Sequence, residues 1–136
     1  MGIETMDDLR RSQVRAFIDG LQNGGFPDDL FTPDVAFWTT VSGPVAPASY
    51  RQVPRILKAI FGQRIQFTID SLILEGDRAA AEVRSEGLYD EGERYANSYA
   101  FLFRFAGARI STVAEHFNPL HVSPALTERM LALMAG

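Results

Sequence analysis

The 136-residue chain contains no cysteine. Disulfides, thiolate nucleophiles and Cys-ligated zinc are therefore excluded from its chemistry. Lysine is nearly as scarce: Lys58 is the only one, the arginines are scattered, and the formal net charge is -4. Nucleic-acid binding draws on clustered Lys and Arg, which this chain does not offer. The two histidines, His116 and His121, lack metal-ligand spacing with Glu115, so no metal site is expected. No apolar run approaches the ~18 residues that read as a membrane span. The opening MGIETMDDLRRS is acidic and polar, unlike a secretory signal. Phosphate-cradling glycine loops, dinucleotide fingerprints and a nucleophile elbow around any serine are missing as well. These absences predict a cytoplasmic protein with no nucleic-acid or membrane partner, no metal and no cofactor. With 46% hydrophobic and 22% charged residues, and no linker or repeat, one globular domain over 1–136 is expected.

What is present falls into two halves. The first is helical in period. Thr5 to Asn23 reads as an amphipathic helix, capped by Thr5 and stopped by Asn23-Gly24-Gly25, with Leu9, Val14, Phe17, Ile18 and Leu21 on one face. Phe26 to Phe31 reads as a short helical turn, Asp34 to Thr40 as a short strand, and Ser42 to Ala48 as a loop. A second helix runs from Ser49 to Phe61, and Pro54 suits it only if the helix begins near Gln52 or Val53. The second half alternates. Strands are expected at 64–74, 78–89, 94–105 and 109–122, joined by the turns Glu75-Gly76-Asp77, Asp90-Glu91-Gly92-Glu93 and Ala106-Gly107-Ala108, hence antiparallel hairpins. Ser123-Pro124 opens a last helix with Leu126, Met130, Leu133 and Met134 as its apolar stripe. Helices followed by a long meander define an α+β fold: a curved antiparallel sheet wrapped by the early helices into a cone with an internal pocket.

Four segments, taken together, resemble the SnoaL-like group of the nuclear transport factor 2-like superfamily. They are the first helix ending in NGG, LFTPDVAFW, GDRAAAEVRSEG and the hairpin FLFRFAGARISTVAEHFNPL. The resemblance implies that conical fold, and it covers relatives that isomerise, cyclise or hydrolyse small molecules as well as non-catalytic binding domains. The ketosteroid isomerase residues are absent, Phe17, Thr39 and Phe101 standing in their places. The epoxide hydrolase set survives only as Glu82, Arg84 and Glu115, with Phe37 and Thr39 replacing the water-holding pair. Asn118 stands where many cyclases carry an acid.

Alternation decides which side chains share a face. The family register would turn Glu82, Arg84 and Glu86 inward. The inward rows on the next two strands would be Asn97, Tyr99, Phe101, Phe103 and then Val113, Glu115, Phe117. Trp38 and Tyr50 would close the walls. Glu115 is then the candidate general acid/base, with Arg84 orienting it or stabilising an oxyanion. Glu82, Trp38, Tyr50, Asn97, Tyr99, Phe101, Val113 and Phe117 would contact a small, largely apolar molecule. Against this stands a second reading, in which the charged row is an ion-pair ladder or faces solvent and the aromatic side chains fill the chamber. In that case the chain is a non-catalytic ligand-binding or dimerisation domain. Under both readings the outer sheet face, with Ala100, Leu102, Ala114 and His116, is expected to form a homodimer.

Overall fold

A computed structural model describes residues 4–89 and 92–135. Asp90 and Glu91 of the third expected turn, and the side chains of Leu133 and Met134, lie outside the described residues.

Helix α1 (Met6–Asn23) begins in a reciprocal cap: Asp8 N donates to Thr5 Oγ1 and Thr5 N to Asp8 Oδ2, both at 3.1 Å. It ends at Gly24, whose φ of 94° is a left-handed cap that a side chain would strain. Val14, Phe17, Ile18 and Leu21 are fully or nearly fully buried, each burial contributing roughly 1.5–3 kcal/mol. Strand β1 (Phe31–Thr39) starts three residues earlier than alternation alone suggests, and the loop after it holds a three-residue strand β2 (Gly43–Val45). The expected second helix is two: α2 (Pro47–Tyr50) and α3 (Val53–Phe61), with Pro54 in the first turn of α3, where its missing N–H costs nothing.

The meander follows as β3 (Ile65–Glu75), β4 (Arg78–Leu88), β5 (Arg94–Ala106) and β6 (Arg109–Phe117). β6 stops five residues before Val122, because Pro119 opens a 3₁₀ turn over Pro119–His121 and Asn118 caps it, its Oδ1 accepting from Leu120 N. Helix α4 (Pro124–Ala135) is capped by Ser123, whose Oγ accepts from Leu126 N at 3.1 Å.

The six strands form one sheet in the order β2-β1-β6-β5-β4-β3. The meander is antiparallel as expected, but β1 and β6 run parallel, so the sheet is mixed. The crossover through α2 and α3 carries the chain to the far edge, and the meander returns alongside β1 in the same direction. Bulges bend the sheet. One on β3 inserts Asp70, so Ile65 and Phe67 turn inward before it, Leu72 and Leu74 after it, and Ile73 is left outside. Another on β6 leaves Ser111 without a β5 partner.

The concave face carries small residues on β4 (Ala79, Ala81, Val83, Ser85, Gly87) beside large ones on β5 (Phe103, Phe101, Tyr99, Asn97, Tyr95). Gly87 suits this close approach, since a Cβ would sit 3.0 Å from Arg64 O and 3.2 Å from the Phe61 ring and would push on both. Inside the cone Phe17 packs edge-on against Phe101 and Phe103, with ring centroids 5.5 and 5.3 Å away. Among the described residues no helix is long and apolar enough to cross a membrane.

Candidate functional site

The open end of the cone is a cavity of about 380 Å³, at the lower end of the ~300–1,000 Å³ typical of small-molecule sites. Helix α4, the β1–β2 turn and helices α2 and α3 form its rim, and its walls are largely apolar. A second groove of similar volume lies open on the outer sheet face over Ala80, Leu102 and Ala114, and it lacks the paired acid and phenol described next.

Glu115 projects from β6 into the cavity, enclosed by protein yet reachable through the mouth. Tyr50 Oη donates to Glu115 Oε1 at 2.6 Å, a length typical of a hydroxyl bonded to a charged carboxylate. Tyr50 is placed by the one-turn helix α2, and its ring stacks on Phe37 with centroids 4.3 Å apart and planes within 8°. The backbone around Glu115 is clamped by Thr40, the residue after β1. Thr40 N donates to Glu115 O at 3.1 Å, and Thr40 Oγ1 accepts from Phe117 N at 3.0 Å.

Burial raises the proton affinity of Glu115 above that of an ordinary carboxylate, and the Tyr50 bond pulls it partly back. Tyr50 is pushed well above the usual phenol range, first by burial and then by the charge of Glu115. Tyr50 therefore stays protonated and donates, and Glu115 is the acceptor whose proton affinity is raised.

Further along the wall runs a second polar group. Asn97 Nδ2 donates to Tyr95 Oη at 3.2 Å and to Asn118 O at 3.2 Å. Tyr95 Oη lies 3.1 Å from Tyr99 Oη, and Tyr99 Oη lies 2.8 Å from Ser85 Oγ. Tyr95 and Tyr99 line the cavity, whereas the buried Asn97 and Ser85 stand behind them.

Of the residues proposed from sequence, Glu115, Tyr50, Tyr99, Phe101 and Phe117 line the cavity. Asn97 points inward behind Tyr95, and Val113 is buried in the core below the cavity. Three placements are corrected. Arg84 and Glu82 are on the outer face of β4, because its alternation buries the small row and leaves the charges in water. The Arg84 side chain is 53% exposed and grips Asp70 on β3 with two bonds, of 2.7 and 2.9 Å, while Arg94 pairs with Glu86 at 3.1 Å. Trp38 is also outside. The β1 register that sets Thr39 beside Glu115 turns Phe37 inward and Trp38 outward, onto His116 with ring centroids 4.8 Å apart. Arg84→Ala should therefore leave ligand affinity and turnover at wild-type level, and a loss of either would return Arg84 to the site.

Sequence reasoning missed four polar residues here. Tyr95 was legible by counting two back from Asn97. Ser85 needed the correct face of β4. Thr39 and Ser42, whose hydroxyls lie 2.6 Å apart at the rim, carry no sequence signal for this role. Among the described residues no group of three His, Asp or Glu side chains could hold a metal ion.

The SnoaL-like domain family matches residues 14–113. No curated protein matches the sequence. Solved structures similar to this chain include an NTF2-like protein from Anabaena variabilis ATCC 29413 (23% identity, 87% of this chain and 94% of that one, TM-score 0.72). The BvnE pinacolase from Penicillium brevicompactum shares 14% identity over 97% of both chains, with TM-score 0.75. An LEH-like epoxide hydrolase of M. tuberculosis shares 16% over 93% of this chain and 95% of that one, with TM-score 0.66. At these identities the structures speak to fold, and the family match over 14–113 speaks to descent: the chain belongs to the SnoaL-like domain family.

Proposed function

We propose that the protein is a cofactor-independent acid/base enzyme acting on a small, largely apolar molecule, with Glu115 moving the proton. The observation that carries this is the 2.6 Å Tyr50–Glu115 bond inside a largely apolar cavity. A carboxylate enclosed this way has raised proton affinity and a fixed orientation, the two requirements of a general acid/base. Isomerisation, cyclisation, dehydration and hydrolysis all fit that role. The open volume speaks against a chamber filled by its own aromatics: Phe103 packs on Phe17 in the core and Trp38 lies outside. Two similar folds bear enzyme names, a pinacolase and an epoxide hydrolase. The test is conversion of a small-molecule library followed by mass spectrometry, wild type against Glu115→Gln. A compound that both proteins convert equally fast removes Glu115 from the reaction.

We also infer that the outer sheet face meets a second copy of the chain. Trp38 and Leu102 are 37% and 44% exposed there beside Ala100, Ala114 and His116, and Ile73 is 64% exposed at the edge. Leu102→Asp would bury an unpaired charge in such an interface and weaken it by about 30-fold or more. Sedimentation should show a wild-type dimer and a variant monomer; a monomeric wild type at micromolar concentration refutes the interface.

A further inference from the structure

Glu115 is the one charged side chain on the cavity wall: among the described residues that line the cavity there is no arginine, lysine or histidine. The protein satisfies one half of the carboxyl. Tyr50 donates to Oε1, and among the described residues none donates to Oε2. Thr32 Oγ1 is the one sealed side-chain atom without a partner among the described residues, so Oε2 is open to the cavity rather than walled off. A charge withdrawn from water is costly unless an opposite charge meets it. A ligand that fills the cavity takes the place of the water that reaches Oε2. It must then bring the compensating positive charge itself or leave the acid to protonate.

The surroundings of the carboxyl suit a cation. Phe101 pairs with Glu115 across β5 and β6, and Tyr99 pairs with Phe117, next along on the same face. Tyr99 and Phe117, with ring centroids 6.2 Å apart, therefore flank the acid on the cavity wall. Tyr99 is close enough for the charge of Glu115 to raise its proton affinity. Aromatic rings attract a cation through their electron-rich faces. The net charge of -4 draws cations toward the chain as well. Val41 and Leu131, each 61% exposed, stand at the mouth and offer apolar contacts to the rest of a ligand.

Resting on the small-molecule reading above but not on its proton transfer, we infer that the cavity takes a cationic nitrogen compound, an ammonium carried on an apolar arylalkyl body. Its charge sits against Oε2, beside the rings of Tyr99 and Phe117, and its body runs outward past Val41 and Leu131. A neutral donor such as an alcohol also reaches Oε2, but it leaves the carboxylate charge uncompensated once water is displaced. An anion of the same shape meets a like charge and is excluded. The ammonium favours the ionised carboxyl, the form to which a 2.6 Å hydroxyl bond is suited.

The experiment measures calorimetric binding of three probes of one shape to the full chain near neutral pH: 3-phenylpropylammonium, 3-phenylpropanol and 3-phenylpropanoate. Wild type should bind the ammonium about tenfold more tightly than the alcohol, and the carboxylate not measurably. Glu115→Gln keeps the size of the side chain and should bring the ammonium down to the alcohol's affinity. Retained alcohol binding shows that this variant is folded. A second variant guards against its misfolding. Thr39 pairs with Glu115, and its hydroxyl lies 2.6 Å from Ser42 Oγ at the exposed rim. Ser42→Lys sets a competing cation there and should lower the ammonium's affinity severalfold with the acid unaltered. A wild type without the ammonium preference, including one that binds none of the probes, overturns the inference. So does a preference that survives Glu115→Gln or, where that variant does not fold, survives Ser42→Lys. If Glu115→Gln stops conversion of an uncharged compound while wild type shows no ammonium preference, the acid/base reading stands and the cation site falls. If the preference depends on Glu115 and conversion does not, the cation site stands and the acid/base reading falls.

Discussion

Glu115→Gln lowers turnover by about 10²–10⁴-fold, the usual worth of a positioned general acid/base, while ligand affinity stays near wild type. The amide keeps the size of the carboxyl and still accepts the Tyr50 hydroxyl, but it cannot take or give a proton. The same variant has a stability signature that needs no substrate. Burial raises the folded-state pKa of Glu115 above its unfolded value. Between those two values the folded protein holds a proton that the unfolded chain has released, so wild-type stability falls as pH rises through that window and then levels. Below the ordinary Glu value of about 4.3 the carboxyl is neutral in both states and this contribution vanishes. Glu115→Gln lacks the titration altogether. Its melting temperature relative to wild type should therefore climb from pH 4 toward neutrality. A difference that is flat with pH would mean that Glu115 titrates as freely as a surface carboxylate.

Period-two alternation placed Tyr99, Phe101 and Phe103 on β5 and Val113, Glu115 and Phe117 on β6; on β5 a one-residue slip would bury Arg94 and Arg104, and on β6 it would turn Val113 and Phe117 out of the core. The same rule applied to β4 contradicts the register taken from the family resemblance. Ala79, Ala81 and Val83 are apolar and Glu82, Arg84 and Glu86 charged, so elementary transfer energetics puts the charges outside, where they are found. Trp38 was a different problem. Phe37 and Trp38 are adjacent aromatics, either able to face inward, and the parallel pairing of Thr39 with Glu115 decides between them. That pairing joins segments from opposite ends of the chain and has no local signature. The bulge at Asp70 is likewise invisible in a run where Ile65, Phe67, Ile69, Leu72 and Leu74 are all apolar. Hardest of all is the central pair itself. Tyr50 and Glu115 are 65 residues apart, and only the crossover after β1 brings α2 over β6.

Tyr50→Phe tests that pair most severely. The phenyl ring retains the stack on Phe37, so the substitution removes one hydroxyl and little packing. It leaves a buried carboxyl without the donor bonded to it, at a cost of about 1.5–3 kcal/mol for the lost bond to a charged acceptor. The Tyr50 bond lowers the pKa of Glu115 against burial, so its loss raises that pKa further. If the ionised carboxylate is the working base, the acid limb of the pH–rate profile moves to higher pH, and activity recovers on the alkaline side. Mere destabilisation would scale the rate down at every pH and leave the limb in place. Linkage supplies the second check. The extra stability loss belongs to the charged carboxylate, so it is largest above the folded pKa and shrinks as the solution is acidified. In the Glu115→Gln background the charge is gone, and Tyr50→Phe should cost distinctly less than it does alone, by a coupling of about 0.5–3 kcal/mol. Strictly additive costs in that double-mutant cycle would reduce the 2.6 Å contact to proximity without energetic consequence. Tyr50 is thus a positioning residue in this scheme, and its value is read from where Glu115 titrates rather than from how much activity is lost.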